Sequence, residues 1–245
     1  MEPSVQQTSV EQAAVETQQA AAETQRFTLR GLRWWIAGLL TLITIVNYID
    51  RAALGVVGPT LKKELAIDEV SFSYMVIAFQ IVYGFMQPFA GRIIDWLNIR
   101  VGYAAALTWW SLAQALTGFA TGWRSLALFR GVLGVGEAGN FPGAIKTVSQ
   151  WFPPKERTVA MGVINIGSGV GSMIAQPLVV VLILAYSWRA AFLATGIAGF
   201  VVLALWLFVY RSPETHPWLS EEERERIRSG GALLKVAEPP RERAS

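Results

Sequence analysis

WWIAGLLTLITIVNYIDRAALGVVGPTL, Trp34 to Leu61, is a run of 28 residues between Arg33 and Lys62 whose only charges are Asp50 and Arg51, its 17th and 18th positions. A bilayer core about 30 Å thick is crossed by about 20 mostly apolar helical residues. The run is long enough to span, and its two charges fall deep within it. Five further segments reach the same length: Ser71–Ala90, Val101–Thr121, Ser125–Trp151, Thr158–Ala185 and Ala190–Tyr210, with the first crossing at Trp34–Val57. Helix is the expected state, because unpaired strand edges are not tolerated in lipid and barrel-type alternation is missing from these segments. The fold class expected is therefore all-α, a six-transmembrane-helix bundle.

Composition agrees. Hydrophobic residues make up 53% of the 245, charged residues 16%, and mean hydropathy is +0.38. A soluble domain carries about 25% charge. There is no cysteine, which excludes disulfides and thiolate metal sites. The net charge of +3 is not gathered into a nucleic-acid surface. No cofactor or metal is expected, and membrane lipid is an expected partner.

Six crossings put both ends on one side. Arg26, Arg30, Arg33, Arg92, Arg100, Lys155, Arg157 and Arg211 fall on that side, and Lys62, Lys63, Arg124 and Arg189 on the other. Eight against four makes the side of the termini cytoplasmic by the positive-inside rule. Trp34, Trp35, Trp96, Trp123, Trp151 and Trp188 lie near segment ends, as an aromatic belt would place them. Residues 1–30 read as a disordered cytoplasmic tail, 31–211 as the membrane domain and 212–245 as a polar cytoplasmic tail. In that last part Ser220 and Glu223 read as a capping box opening a short charged helix near Glu221–Arg228.

The first three segments resemble the last three faintly: Gln87-Pro88 against Gln176-Pro177, and Gly-Tyr-Ala-Ala-Ala-Leu from Gly102 against Trp-Arg-Ala-Ala-Phe-Leu from Trp188. Repeats of three helices must be inverted in a membrane, an arrangement used by secondary transporters.

The fourth segment repeats the peculiarity of the first. Arg130 and Glu137 are the sixth and thirteenth of 21 residues between Arg124 and Lys146. Seven residues apart, they share a helix face about 10 Å apart. Asp50 and Arg51 point about 100° apart. Neither pair neutralises itself, so pairing across helices, or around water and a ligand, is expected. A charged group at mid-bilayer costs about 2.5–3.5 kcal/mol, so four cost on the order of 10 kcal/mol, comparable to a whole domain's stability. An ion-pair network seldom adds net stability over apolar packing. A polar pathway is the stronger reading. Buried Asp50 and Glu137 can exchange protons, because burial penalises the charged form. Arg51 and Arg130 stay cationic, and the guanidinium fork suits a carboxylate. With both acids ionised the four charges cancel; with both protonated the site is doubly positive and attracts an anion. Tyr48 and Tyr83 offer hydroxyls to a polyhydroxylated substrate.

These residues resemble a known family. Gly91-Arg-Ile-Ile-Asp95-Trp-Leu-Asn-Ile-Arg100 is similar to the signature between helices two and three of the major facilitator superfamily, with Trp96 where a basic residue is usual and Asn98 where glycine is usual. NYIDR, RGVLGVGEAGNFPG and ETHPWLSEEERERI resemble the anion:cation symporter branch, and hexuronate and related sugar-acid carriers in particular. The resemblance implies one half of a major facilitator fold, with inverted three-helix repeats, in a proton-coupled importer of a sugar acid such as a hexuronate, and no enzyme. It implies a multi-pass protein of the bacterial inner membrane with cytoplasmic termini. It makes Asp50 and Glu137 the proton-coupling acids, tuned by Arg130. Arg51 becomes the carboxylate binder and Tyr48 and Tyr83 site-lining residues. Gly91, Asp95, Arg100 and Arg157 become parts of a cytoplasmic gate. The family has twelve helices in two halves. This chain is therefore expected to be the N-terminal half only, as a fragment, a truncated reading frame or a half that pairs with a C-terminal six-helix chain, and not to transport alone.

Other readings are weaker. Gly134-Val-Gly136-Glu-Ala-Gly139 fits GxGxxG but lies in a membrane helix, where small residues serve close helix approach. Gly167 and Gly171 read likewise. An intramembrane protease using Ser168 lacks a base, since the only histidine, His216, is in the polar tail. A six-helix scaffold or channel subunit without transport activity is the remaining alternative.

Overall fold

The computed structural model describes residues 28–232. The expected N-terminal tail up to residue 27 and the Pro- and Arg-rich end from residue 233 lie outside the described residues. The helices are α1 (Leu32–Glu64), α2 (Glu69–Leu97), α3 (Ile99–Thr117), α4 (Trp123–Glu137), α5 (Asn140–Trp151), α6 (Pro154–Ala185), α7 (Trp188–Val209) and α8 (Glu221–Ser229). By length and composition α1, α2, α6 and α7 can each cross a membrane. The shorter α3 is less apolar, and the fourth crossing is divided between α4 and α5.

Local chemistry sets the boundaries. Asp68, Asn98, Ser187 and Ser220 cap α2, α3, α7 and α8 by accepting the N–H of Ser71, Val101, Ala190 and Glu223. The Ser71 N–H, at 2.6 Å, holds the exposed Asp68 carboxyl below the usual carboxylate range. Asn98 has φ of +66° and ψ of 159°, a region that is essentially the preserve of glycine, so the departure from glycine there costs backbone strain. The Asn98 side chain offsets part of that cost by capping α3.

The fourth crossing bends beside Glu137. Gly139 N–H bonds back to Gly136 O in a tightened turn, and Pro142 has no N–H to return to Ala138.

The packing has the symmetry of an inverted repeat. α1 lies along α6 as α2 lies along α4; α3 pairs with α7; and α3 on α4 is mirrored by α1 on α7. Glycines permit the closest approaches. A Cβ on Gly167 or Gly171 of α6 would strike the Thr41 and Ile45 carbonyls of α1. On the opposite pair, Gly134 of α4 lies against the Phe79 carbonyl of α2. The small residues of the GxGxxG stretch therefore serve helix packing.

Two apolar clusters fill the bundle's ends. α1 contributes Leu32 through Val46 to one and Ala53 through Leu61 to the other. Asn47, Asp50 and Arg51 lie in the gap between them. This polar layer separates the two apolar clusters along α1.

The aromatic belt is partial. Trp35 and Trp96 are exposed, but Trp151 and Trp188 are fully buried. Trp188 donates to Glu64 at 2.8 Å, and Trp151 packs edge-on to His216.

The two ends of the described chain meet. Leu29 N–H bonds to Trp218 O at 2.9 Å, and α8 lies at the start of α1. The capping box closes only by half: Glu223 does not return to Ser220 but turns to α1, where its carboxylate accepts Leu32 N–H at 3.0 Å and Arg33 N–H at 3.4 Å.

Candidate functional site

Asp50 and Arg51 face different neighbours. Arg51 Nε and Nη2 donate to Glu137 Oε2 at 3.0 and 2.9 Å, joining α1 to α4. Both bonds reach one oxygen, and the fully buried Oε1 has no partner among the described residues. The guanidinium lies over three rings, Tyr83 at 4.4 Å, Tyr48 at 5.0 Å and Phe79 at 5.2 Å from their centroids. Cation–π contact of this kind holds the guanidinium in one plane. Tyr48 and Tyr83 thus meet Arg51 with their ring faces.

Arg51 also borders a cavity of about 450 Å³ between α1, α2 and α4, lined by Leu54, Phe79, Gln80, Tyr83 and Arg130 among others. Small-molecule pockets commonly run from about 300 to 1,000 Å³. The wall is largely apolar, with cations and amide or phenol donors at a few places, a composition suited to a small anion bearing hydroxyls.

Asp50 is fully buried and does not line the cavity. Gln114 of α3 and Thr195 of α7 face its carboxyl. Neither carboxyl oxygen has a hydrogen-bond partner among the described residues. Arg130 is buried too, and its terminal nitrogens reach the main-chain carbonyls of Asp50 and Arg51, both at 3.4 Å. The expected cross-helix pairing is thus met by Arg51 with Glu137, while Arg130 binds α1 through its backbone.

A polar chain continues the layer. Tyr103 OH donates to Asn140 Oδ1 at 2.6 Å, and the Asn140 amide reaches Asn47 Oδ1 at 3.5 Å.

The four residues assigned to a gate lie toward the end where the described termini meet, with separate partners. Asp95 pairs with Lys146 of α5. Gly91 lies beside this pair, where a Cβ would make ordinary contact with Lys146 and Pro142 at 3.7 Å. Arg157 does not pair with Asp95; it donates to the Ser149 and Phe152 carbonyls at 3.0 Å, closing the end of α5. Arg100 donates to Leu207 O at 2.6 Å. At the same end Arg33 links Glu156 at 3.1 Å and Glu223 at 3.6 Å, and Arg226 reaches Glu156 at 3.0 Å.

Phe79, Gln114, Thr195, Asn140 and Lys146 were not singled out by sequence reasoning. Gln114, Thr195 and Asn140 were findable as polar residues within apolar crossings; Phe79 carries no such signal. Among the described residues no group of three or more His, Cys, Asp or Glu side chains is placed to hold a metal.

Comparison with known proteins places the chain. The profile of the Major Facilitator Superfamily matches residues 40–241. The chain is 44% identical over 204 residues to a galacturonate transporter of Dickeya chrysanthemi, covering 83% of this chain and 59% of that one. It is 40% identical over 202 residues to a hexuronate transporter of Escherichia coli strain K12, covering 82% and 47%. A probable galactarate/D-glucarate transporter of the same strain, GarP, is 35% identical over 210 residues, covering 83% and 47%. The chain spans about half the length of the curated relatives it matches. These relatives are transporters by name, not enzymes. Among solved structures, a bacterial homolog of the human lysosomal transporter Spinster aligns at TM-score 0.66 with 23% identity, covering 76% of this chain and 46% of that one. The xylose transporter XylE from E. coli aligns at 0.57 with 16% identity, covering 82% and 53%. Both likenesses are of fold, and this six-helix bundle corresponds to half of theirs.

Proposed function

This chain belongs to the major facilitator superfamily, and from that premise we propose that it forms the N-terminal six-helix half of a proton-coupled importer of a sugar acid such as a hexuronate. The observation that carries the reading is the position of Arg51: two of its five N–H donors meet Glu137, and the same guanidinium borders the cavity. The substrate carboxylate and Glu137 compete for it. When Glu137 takes a proton its hold on Arg51 weakens, and the fork is offered to the incoming anion. When the proton leaves, Glu137 recaptures Arg51 and the anion is released. Proton binding and anion binding thereby favour each other, which is the coupling a symporter needs. Tyr48 and Tyr83 orient Arg51 through their rings, and their hydroxyls serve the sugar. Asp50 is the second proton-coupling acid, and Arg130 adjusts both acids.

Gly91, Asp95, Arg100 and Arg157 act in a cytoplasmic gate, with Asp95 working through Lys146. The cavity is completed by a second six-helix bundle, consistent with relatives about twice as long. The protein sits in a bacterial inner membrane as a multi-pass chain with both termini cytoplasmic. The eight-to-four distribution of basic residues supports that orientation.

The test is uptake of radiolabelled glucuronate into proteoliposomes, with and without an inward proton gradient. The chain is reconstituted alone and with a co-expressed C-terminal half of a relative. Gradient-driven uptake by the pair and none by the chain alone is expected. Uptake by the pair that ignores the gradient contradicts proton coupling.

A further inference from the structure

We infer that Asp50, Gln114 and Thr195 enclose a proton-holding pocket, separate from the cavity, in which the Gln114 amide oxygen accepts the hydrogen of a protonated Asp50 carboxyl. This deepens the proposed coupling role of Asp50 and rests on that reading.

Thr195 Oγ1 donates to Phe192 O at 3.3 Å. Its single hydrogen is therefore engaged, and it accepts the Gln114 amide N–H at 2.9 Å. The same amide nitrogen reaches the Asp50 main-chain carbonyl at 3.5 Å. These bonds orient Gln114 with its nitrogen toward α7, leaving its oxygen without a donor among the described residues. Both oxygens of the Asp50 carboxyl likewise have no donor among the described residues, and all three atoms are buried. Three buried acceptors facing no donor are unfavourable. One proton on Asp50 makes an acceptor into a donor, which the Gln114 amide oxygen can accept.

No basic side chain supplies that donor. Arg130 of α4 turns its terminal nitrogens to main-chain carbonyls, and Arg51 turns to Glu137. Glu137 adds a like charge. On α3 Tyr103 is engaged by Asn140 and Arg100 by the Leu207 carbonyl, and Tyr83 of α2 lies on Arg51. Lys146 of α5 pairs with Asp95. Between Thr158 and Ala185 of α6, and between Ala190 and Val209 of α7, there is no titratable side chain. Gln114 and Thr195 are therefore positioning residues for the Asp50 proton. Arg130, touching the carbonyls of both residue 50 and residue 51, is the physical link between pocket and cavity.

Infrared difference spectroscopy of the whole chain in lipid, titrated with pH, tests this without transport. A protonated-carboxyl C=O band is expected that vanishes in Asp50→Asn and persists in Glu137→Gln. It moves to higher wavenumber in Gln114→Met, which keeps volume and loses the acceptor, and stays in place in Thr195→Ser, which keeps the hydroxyl. Absence of any Asp50-dependent band at every pH where the chain is folded overturns the inference, as does an unchanged band in Gln114→Met. A band removed by sodium at constant pH makes the pocket a metal-ion site and overturns it equally. A chain with the expected bands whose reconstituted pair shows no gradient-driven uptake refutes the proposed transport while leaving the pocket in place.

Discussion

Arg51 and Glu137 meet across α1 and α4 at a single carboxylate oxygen, with Nε at 3.0 Å and Nη2 at 2.9 Å. The one-sided contact distinguishes this pair from a locked fork-to-fork bridge, in which each oxygen takes one N–H. An arginine held by one oxygen is easier to hand to a second carboxylate.

Replacing Glu137 by Gln leaves Arg51 cationic with no counter-charge. Removing one partner of a buried pair costs about 3–5 kcal/mol, and the low end applies here because the Arg51 side chain is 25% exposed. Thermal unfolding in detergent should show that loss. Unchanged stability would mean the pair is broken in the membrane.

Arg51→Lys keeps the charge but loses the planar fork and its seat on three rings. Hexuronate binding by the reconstituted pair should weaken tenfold or more, about 1.4 kcal/mol. Isothermal titration measures it, and equal affinity would remove Arg51 from the site.

The crossings were legible in the sequence because twenty-residue apolar runs admit one state in lipid. So was the depth of Asp50, Arg51, Arg130 and Glu137. Their partners were not. Helical spacing shows only that Asp50 and Arg51 diverge; that Arg51 reaches Glu137 depends on how α1 and α4 cross. The fourth crossing, expected as one run over Ser125–Trp151, is divided between Glu137 and Asn140, where Ala138 and Gly139 give no local signal of a break. Asp95 with Lys146 was hidden because Lys146 lies fifty-one residues away, past two helices. The turn of Glu223 away from its own cap was hidden for the same reason: Leu32 is 191 residues upstream.

Glu223 satisfies two N–H groups at the start of α1. Glu223→Ala should destabilise the docking of α8 by about 1 kcal/mol, the usual worth of an N-cap, and Glu223→Gln by less. Hydrogen exchange at Leu32 and Arg33 reads the difference; no change would show that α8 does not hold α1.

Gly171 and Gly169 make a matched pair. A Cβ on Gly171 would press on Ile45 O and stand 2.9 Å from Tyr48 Cβ, whereas Gly169 has open space. Gly171→Ala should cost about 1–3 kcal/mol by forcing α1 and α6 apart, and Gly169→Ala should be neutral or stabilising by up to about 1 kcal/mol. Equal effects in thermal unfolding would contradict the packing of α1 on α6.

His216 is buried at the end of the bundle, its Nε2 2.9 Å from Val209 O and its Nδ1 accepting Trp218 N–H at 3.2 Å. Burial first, then Arg211 and Arg224, holds its pKa below the ordinary 6.5. The unfolded segment therefore binds a proton more readily than the docked one. The stabilisation is complete above about pH 6.5 and is lost as pH falls through the docked value. Hydrogen exchange of Glu221–Ser229, corrected for intrinsic rate, should accelerate on acidification, and His216→Gln should flatten the dependence. A flat profile in the unaltered chain would contradict it.

The proposed division of labour, Asp50 for the proton and Arg51 for the anion, is separable by comparing gradient-driven uptake with substrate exchange at equal pH for Asp50→Asn in the reconstituted pair. Uptake is expected to fall at least tenfold while exchange of internal for external hexuronate persists. Loss of both to the same degree, or retention of gradient-driven uptake, would show that residues 50 and 51 do not act separately.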